Sequence, residues 1–279
     1  MSKITVVSTA KGDRLKIDGK FVDFKRSPNG GGEMTPRYLV IHYTAGGSAH
    51  SSVNWMTNSK ANASAHLVID EYGGVTQLMP FNEVAWHAGE SSWDGIRGLN
   101  RHSIGIEVSN PGNLEISGED YVTWWGDVVN PESVVEAIHP DDPSGNVYGW
   151  KRFTPEQIKA IIDIGTVLTD HYELVETVGH DMISPGRKKD PGPCMPDNVY
   201  GFLNGRNRDE NVYEVFGTSG KGLNCRTHPG IDNHVHDFSP FPNGTRITVE
   251  DRHGKWLLVR LVDEPHHEGW CHGNWIKRL

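Results

Sequence analysis

One short stretch limits the possible folds most: Tyr38-Leu39-Val40-Ile41 is apolar at every position and stops at His42. A strand with one face in water alternates apolar and polar residues, so an unbroken run reads as a strand buried on both faces. Such a strand needs a layer above and a layer below it. Thr44-Ala45-Gly46-Gly47 then reads as a loop, which leaves a histidine at the lip of the strand. A further strand Ser103-Ile104-Gly105-Ile106 reaches Glu107, and Leu174-Val175-Glu176-Thr177-Val178, less purely apolar, also runs on to a histidine, His180. Polar residues at strand ends of an open α/β sheet gather along one edge, where ligands bind. The chain is therefore expected to be α/β, with a central mixed β-sheet flanked by helices.

Other segments fit around that sheet. Residues 52–58 read as a short helix with Val53 and Met56 inward, and Leu67-Val68-Ile69 pairs with Val75-Thr76-Gln77-Leu78-Met79 across a Gly73-Gly74 turn. Thr154, Pro155 and Gln157 form a capping box that opens a helix running to about Tyr172. Residues 1–34 read as a hairpin and a flexible entry segment ending in Asn29-Gly30-Gly31-Gly32. Residues 113–150 are acidic, carry Trp124-Trp125 and lack a clear period, which predicts a long loop forming a lip or lid. Beyond the polar stretch at 207–211, the segments Leu223-Asn224-Cys225-Arg226, Arg246-Ile247-Thr248-Val249, Trp256-Leu257-Leu258-Val259 and Gly269-Trp270-Cys271 are short strands between turns, which suggests a small all-β barrel. The expected domains are residues 1–34, 35–206 and 207–279.

A net charge of -9 argues against a nucleic-acid surface, which needs clustered Lys and Arg. No apolar run approaches the roughly 20 residues of a membrane span. The N-terminus reaches Lys11, Asp13 and Arg14 before any signal-peptide core develops, so no cleavable export signal is expected. Three cysteines are too few for a disulfide scaffold. Cys225 and Cys271 leave two readings open, one bridge or two buried thiols.

His42, His180 and Asp190 offer two nitrogen ligands and one oxygen ligand. The Pro185-Gly186 turn between His180 and Asp190 can fold the carboxylate back towards the imidazole. Three protein ligands and one open position are the pattern of a catalytic zinc, one per chain. Amide hydrolysis would also need a base, for which Glu107 is the candidate, and positive charge for the oxyanion, for which Lys188 is the candidate. His66, Trp86, His87 and Trp93 are candidate substrate contacts, with a structural role the equal alternative for His66 and His87; Trp93, Trp124 and Trp125 offer faces on which sugars stack, or else are large core residues. Taken singly, a histidine after an apolar run is more often structural, and a triplet such as Arg187-Lys188-Lys189 is more often a solvated loop.

Taken together, five motifs resemble the N-acetylmuramoyl-L-alanine amidases of the type-2 amidase and peptidoglycan recognition protein superfamily. They are Ile41-His42-Tyr43-Thr44-Ala45, Ser64-Ala65-His66, Ala85-Trp86-His87-Ala88-Gly89, Ser103-Ile104-Gly105-Ile106-Glu107 and residues 180–193. The resemblance covers residues 36–205 apart from 113–150. It implies the type-2 amidase fold, zinc on His42, His180 and Asp190, and Glu107 and Lys188 as catalytic partners. Several branches carry a catalytic tyrosine where this chain has Ala65, so that role is absent here or falls to Glu107. The C-terminal part resembles a bacterial SH3-like domain. The implied function is cleavage of the bond between N-acetylmuramic acid and L-alanine in peptidoglycan or muropeptides, as in an endolysin. The competing expectations are a peptidoglycan-binding protein that does not cut and a cytosolic muropeptide-recycling enzyme. Without an export signal, action on the cell wall requires lysis or a dedicated export machine.

Overall fold

The computed structural model describes residues 3–142, 144–200, 212–264 and 266–278. These separate into two compact units, residues 3–91 with 98–200, and residues 92–97 with 212–278. The boundary expected at 206/207 lies outside the described residues. No helix among them is long and apolar enough to cross a membrane.

The first unit is built on a six-stranded mixed sheet, in the order Glu176–Gly179, Tyr38–Tyr43, Ser103–Val108, Leu67–Ile69, Val75–Gln77, Asp23–Phe24. The first four strands run parallel, and the hairpin strand Val75–Gln77 reverses direction. Tyr38, Leu39, Val40 and Ile41 are fully buried, as an unbroken apolar run requires. Side chains alternate along the Leu67–Ile69 strand, so Val68 meets Val53 and Met56 of the helix Ala49–Met56. The helix Pro155–Tyr172 starts at the expected capping box on Thr154 and Gln157 and buries Ile161, Ile164, Gly165 and Leu168.

Parallel pairing decides what meets at the edge. Glu107 stands opposite His42, and Gly179 stands opposite Ile41, so the chain turns into His180 one residue later, beside His42. The sheet thus delivers all three polar strand ends to one place.

Two expectations change. The entry segment is not a flexible lead. Asp23–Phe24 joins the central sheet, Gly30–Glu33 pairs with Glu83–Ala85, and buried Asn29 donates to the carbonyls of Met56, Asn58 and Ala63. The supposed long loop is a five-stranded antiparallel sheet of Asn113–Ser117, Asp120–Val122, Val128–Val129, Val134–Ile138 and Val147–Lys151.

The second unit is all-β. Its five strands, in the order Glu268–His272, Trp256–Leu261, Arg246–His253, Val212–Val215, Ile276–Arg278, enclose Tyr213, Leu223, Phe241, Ile247, Leu257 and Val259. Cys225 and Cys271 are buried free thiols in that core. The hairpin Ser92–Trp93 and Ile96–Arg97 belongs to this unit, although its sequence neighbours belong to the first.

Candidate metal centre

His42 Nδ1, His180 Nδ1 and Asp190 Oδ2 converge, each 2.9 Å from the other two. All three residues are buried. The other ring nitrogens decide what this means. His180 Nε2 lies 3.0 Å from the carbonyl of Ala88 and 3.3 Å from Arg187 Nη2, so it is Nδ1 that faces the cluster. His87 Nε2 faces the carbonyl of Ser103 at 3.2 Å, which leaves His87 Nδ1 bare to accept from His42 Nε2–H at 3.0 Å. His42 Nδ1 is therefore bare as well. Burial, with the neighbouring His180, lowers the pKa of His42 to about 4, so its ring is neutral at neutral pH.

Two ring nitrogens and a carboxylate oxygen thus face one another, each 2.9 Å from the other two, an arrangement that suits a cation. The donor set fits a divalent metal ion, and these three residues would hold it.

Glu107 is partly buried, and its Oε2 is sealed from solvent without a hydrogen-bond partner. Burial and the Asp190 carboxylate raise its pKa well above the ordinary 4.5, against the pull of Lys188. The basic triplet divides three ways. Arg187 donates to the carbonyls of Ala88 and Glu90, and Lys189 sits 4.2 Å from the centre of the Tyr148 ring. Lys188 is the one whose charge acts on both His42 and Glu107.

The candidate substrate contacts divide as well. Trp86 is 42% exposed beside His87 and remains free to touch a ligand. His87 has both ring nitrogens engaged, so it orients His42 instead of meeting substrate. Its ring lies against Gly105, where a Cβ would come within 2.5 Å of it. Replacing His87 with Leu should weaken zinc binding by roughly 10–100-fold, the range for partners that orient metal ligands. Competition against a chelating dye measures this, and unchanged affinity would refute the role.

His66 is fully buried, donates from Nε2 to the Glu83 carbonyl and accepts at Nδ1 from Gly105 N–H. It holds the sheet and has no nitrogen left for a ligand. Burial lowers its pKa from 6.5 to about 4. The unfolded chain therefore binds a proton between those values that the folded chain does not. The stability due to neutral His66 is full above about 6.5 and falls by on the order of 3 kcal/mol as pH drops towards 4. Denaturant midpoints at several pH values should fall less steeply for His66→Gln than for the wild type. Parallel slopes would contradict the assignment.

Trp93 is 4% exposed and lies in the second unit, with the Arg252 guanidinium 5.5 Å from its ring centre. It is a packing residue, not a substrate contact. Ala65 is fully buried among Val53, Met56, Val68 and Leu78, so nothing at that position replaces a tyrosine. His139, which its turn-rich surroundings place at the surface, is instead 1% exposed, and its Nε2 lies 3.2 Å from Asp181 Oδ2. Asp181 N–H in turn donates to the Asp190 carbonyl, so the five-stranded sheet reaches the metal-ligand loop.

Residues 32–193 match the family described as N-acetylmuramoyl-L-alanine amidase. The chain is 32% identical over 169 residues to the N-acetylmuramoyl-L-alanine amidase AmiD of Escherichia coli, covering 57% of this chain and 50% of that one. It is 28% identical over 134 residues to the 1,6-anhydro-N-acetylmuramyl-L-alanine amidase AmpD of Citrobacter freundii, covering 47% and 52%. It thus spans about half the length of these relatives. A solved complex of E. coli AmiD with anhydro-N-acetylmuramic acid-L-Ala-D-gamma-Glu-L-Lys aligns with a TM-score of 0.47 at 25% identity, covering 80% of this chain and 74% of that one.

Proposed function

The chain belongs to the N-acetylmuramoyl-L-alanine amidase family, and on that premise we propose that it hydrolyses the amide between the lactyl group of N-acetylmuramic acid and L-alanine in peptidoglycan. The observation that carries this reading is the convergence of His42, His180 and Asp190 on one point, with the unpartnered Glu107 oxygen close by. A relative that binds without cutting has no need of three converging ligand atoms beside a carboxylate of raised pKa.

The residues take distinct roles. A zinc ion held by His42, His180 and Asp190 would supply Lewis acidity to the scissile carbonyl and to water. Glu107 accepts a proton from the attacking water and returns it to the departing L-alanine nitrogen, for which a raised pKa suits it. Lys188 places its ammonium where negative charge develops on the carbonyl oxygen. Trp86 offers an exposed face to the substrate. The second unit is read as an SH3-like module that holds the enzyme on its polymer. The cell wall is then the target, reached after lysis or through an export machine.

Digestion of purified sacculi and of soluble anhydromuropeptides, each followed by mass spectrometry with and without a chelator, tests the proposal. New lactyl-sugar and L-alanyl ends that vanish with chelator and return with zinc are expected. Intact substrate in the presence of zinc sinks the amidase reading, and cleavage of soluble muropeptides alone favours recycling over lysis.

A further inference from the structure

Beyond the metal centre, the strand that carries His42 runs into a groove of about 650 Å³ lined by Thr44 and Ala45, by Trp55 and Met56 of the helix Ala49–Met56, and by Trp124 and Trp125 in the turn between the sheet strands Asp120–Val122 and Val128–Val129. The volume lies within the range of ligand sites. Three tryptophans meet here, and two are strongly exposed, Trp124 at 77% and Trp55 at 56%. An indole left in water forgoes a large burial gain, so several gathered on one surface mark a binding face.

They are also held in place. Trp124 Nε1–H donates to the Ala45 carbonyl at 2.9 Å, Trp125 Nε1–H donates to Asp127 at 2.6 Å, and the two rings stand edge to face with centres 5.4 Å apart. With the N–H edges engaged, the flat faces are what remain to offer. Helical phase accounts for the exposure of Trp55, because Ser52, Val53 and Met56 are the buried positions of this helix and Trp55 falls outside them.

The lining residues carry no charged side chain. A peptide stem with free carboxylates would find no counter-charge here, whereas the C–H face of a pyranose ring needs none. The hydroxyls of Thr44 and Ser51 can serve ring substituents. We propose that this groove is a subsite for uncharged pyranose rings of the glycan strand, which it holds next to the amide to be cut. The placement beside the cut rests on the amidase reading; the binding chemistry does not.

Titration with chitotetraose, a β-1,4-linked N-acetylglucosamine tetramer, followed by calorimetry tests the binding apart from catalysis. The wild type should bind saturably, Trp124→Ala and Trp55→Ala should each weaken binding by about tenfold or more, and Trp124→Phe should retain most of it. Circular dichroism checks that the variants fold, and the two alanine variants touch different elements, so one misfolded protein does not decide the result. No binding by the wild type up to about 10 mM, or equal binding by folded alanine variants, overturns the inference. A protein that binds chitotetraose through these tryptophans yet never releases a peptide upholds this subsite and defeats the amidase reading alone.

Discussion

A His180→Ala protein is expected to purify without bound metal and to leave peptidoglycan uncut. His180 Nδ1 is one of three atoms that meet at mutual separations of 2.9 Å, and its loss leaves two ligands where a catalytic zinc uses three. Loss of an orienting partner alone costs roughly 10–100-fold, so loss of a ligand should exceed that and reach about 10³-fold or more in metal affinity. The fold should persist, because the strand before His180 is held along its length by the Tyr38–Tyr43 strand. Metal analysis and muropeptide release, measured on the same sample, check the prediction. Stoichiometric metal in the variant would mean that the three-residue cluster is not the site.

Glu107→Gln should give the opposite combination, with metal retained and turnover lost. Glutamine matches the size of glutamate but cannot take up a proton, and removal of a general base costs roughly 10²–10⁴-fold in kcat. The raised pKa adds a pH signature. Glu107 must be ionised to act, so the acid limb of kcat/KM in the wild type should lie above the ordinary carboxylate value of 4.5. A variant with more than half the wild-type kcat would remove Glu107 from the mechanism. Together the two variants separate holding the ion from moving the proton.

The ligand cluster was legible because three strand-like runs each lead to a polar residue. Tyr38-Leu39-Val40-Ile41, unbroken and apolar, has few alternatives to a buried strand opening at an edge, and the less purely apolar runs before Glu107 and His180 point to the same place. The roles of His66 and His87 were half legible. In sequence a cleft contact and a structural role read equally well, and the carbonyls of Glu83 and Ser103 at their ring nitrogens favour the structural one. The five-stranded sheet left little trace for a related reason. Of its strand residues, only Leu114, Gly149 and Trp150 are buried, so no period of two stands out against the polar background. His139, read as a surface residue from its turn-rich surroundings, was misplaced with it. Trp93 misled because its aromatic face and its position near the Ala85–Gly89 motif suggest a cleft, while its packing partner Gly273 lies far along the chain.

That distance bears on how the protein is made. The place where a Cβ on Gly273 would sit is 3.1 Å from the Trp93 ring, so the hairpin finishes packing only after roughly 180 further residues have emerged. At roughly 5–20 residues per second, a ribosome needs on the order of 10–40 s to supply them. During that interval a nascent tryptophan waits without its cover, available to chaperones or to other chains. The same interruption means that the C-terminal unit is not a detachable cassette. Grafting residues 212–278 onto another enzyme would leave behind six residues of its own interior neighbourhood, and a working transplant must carry the hairpin 92–97 along with them.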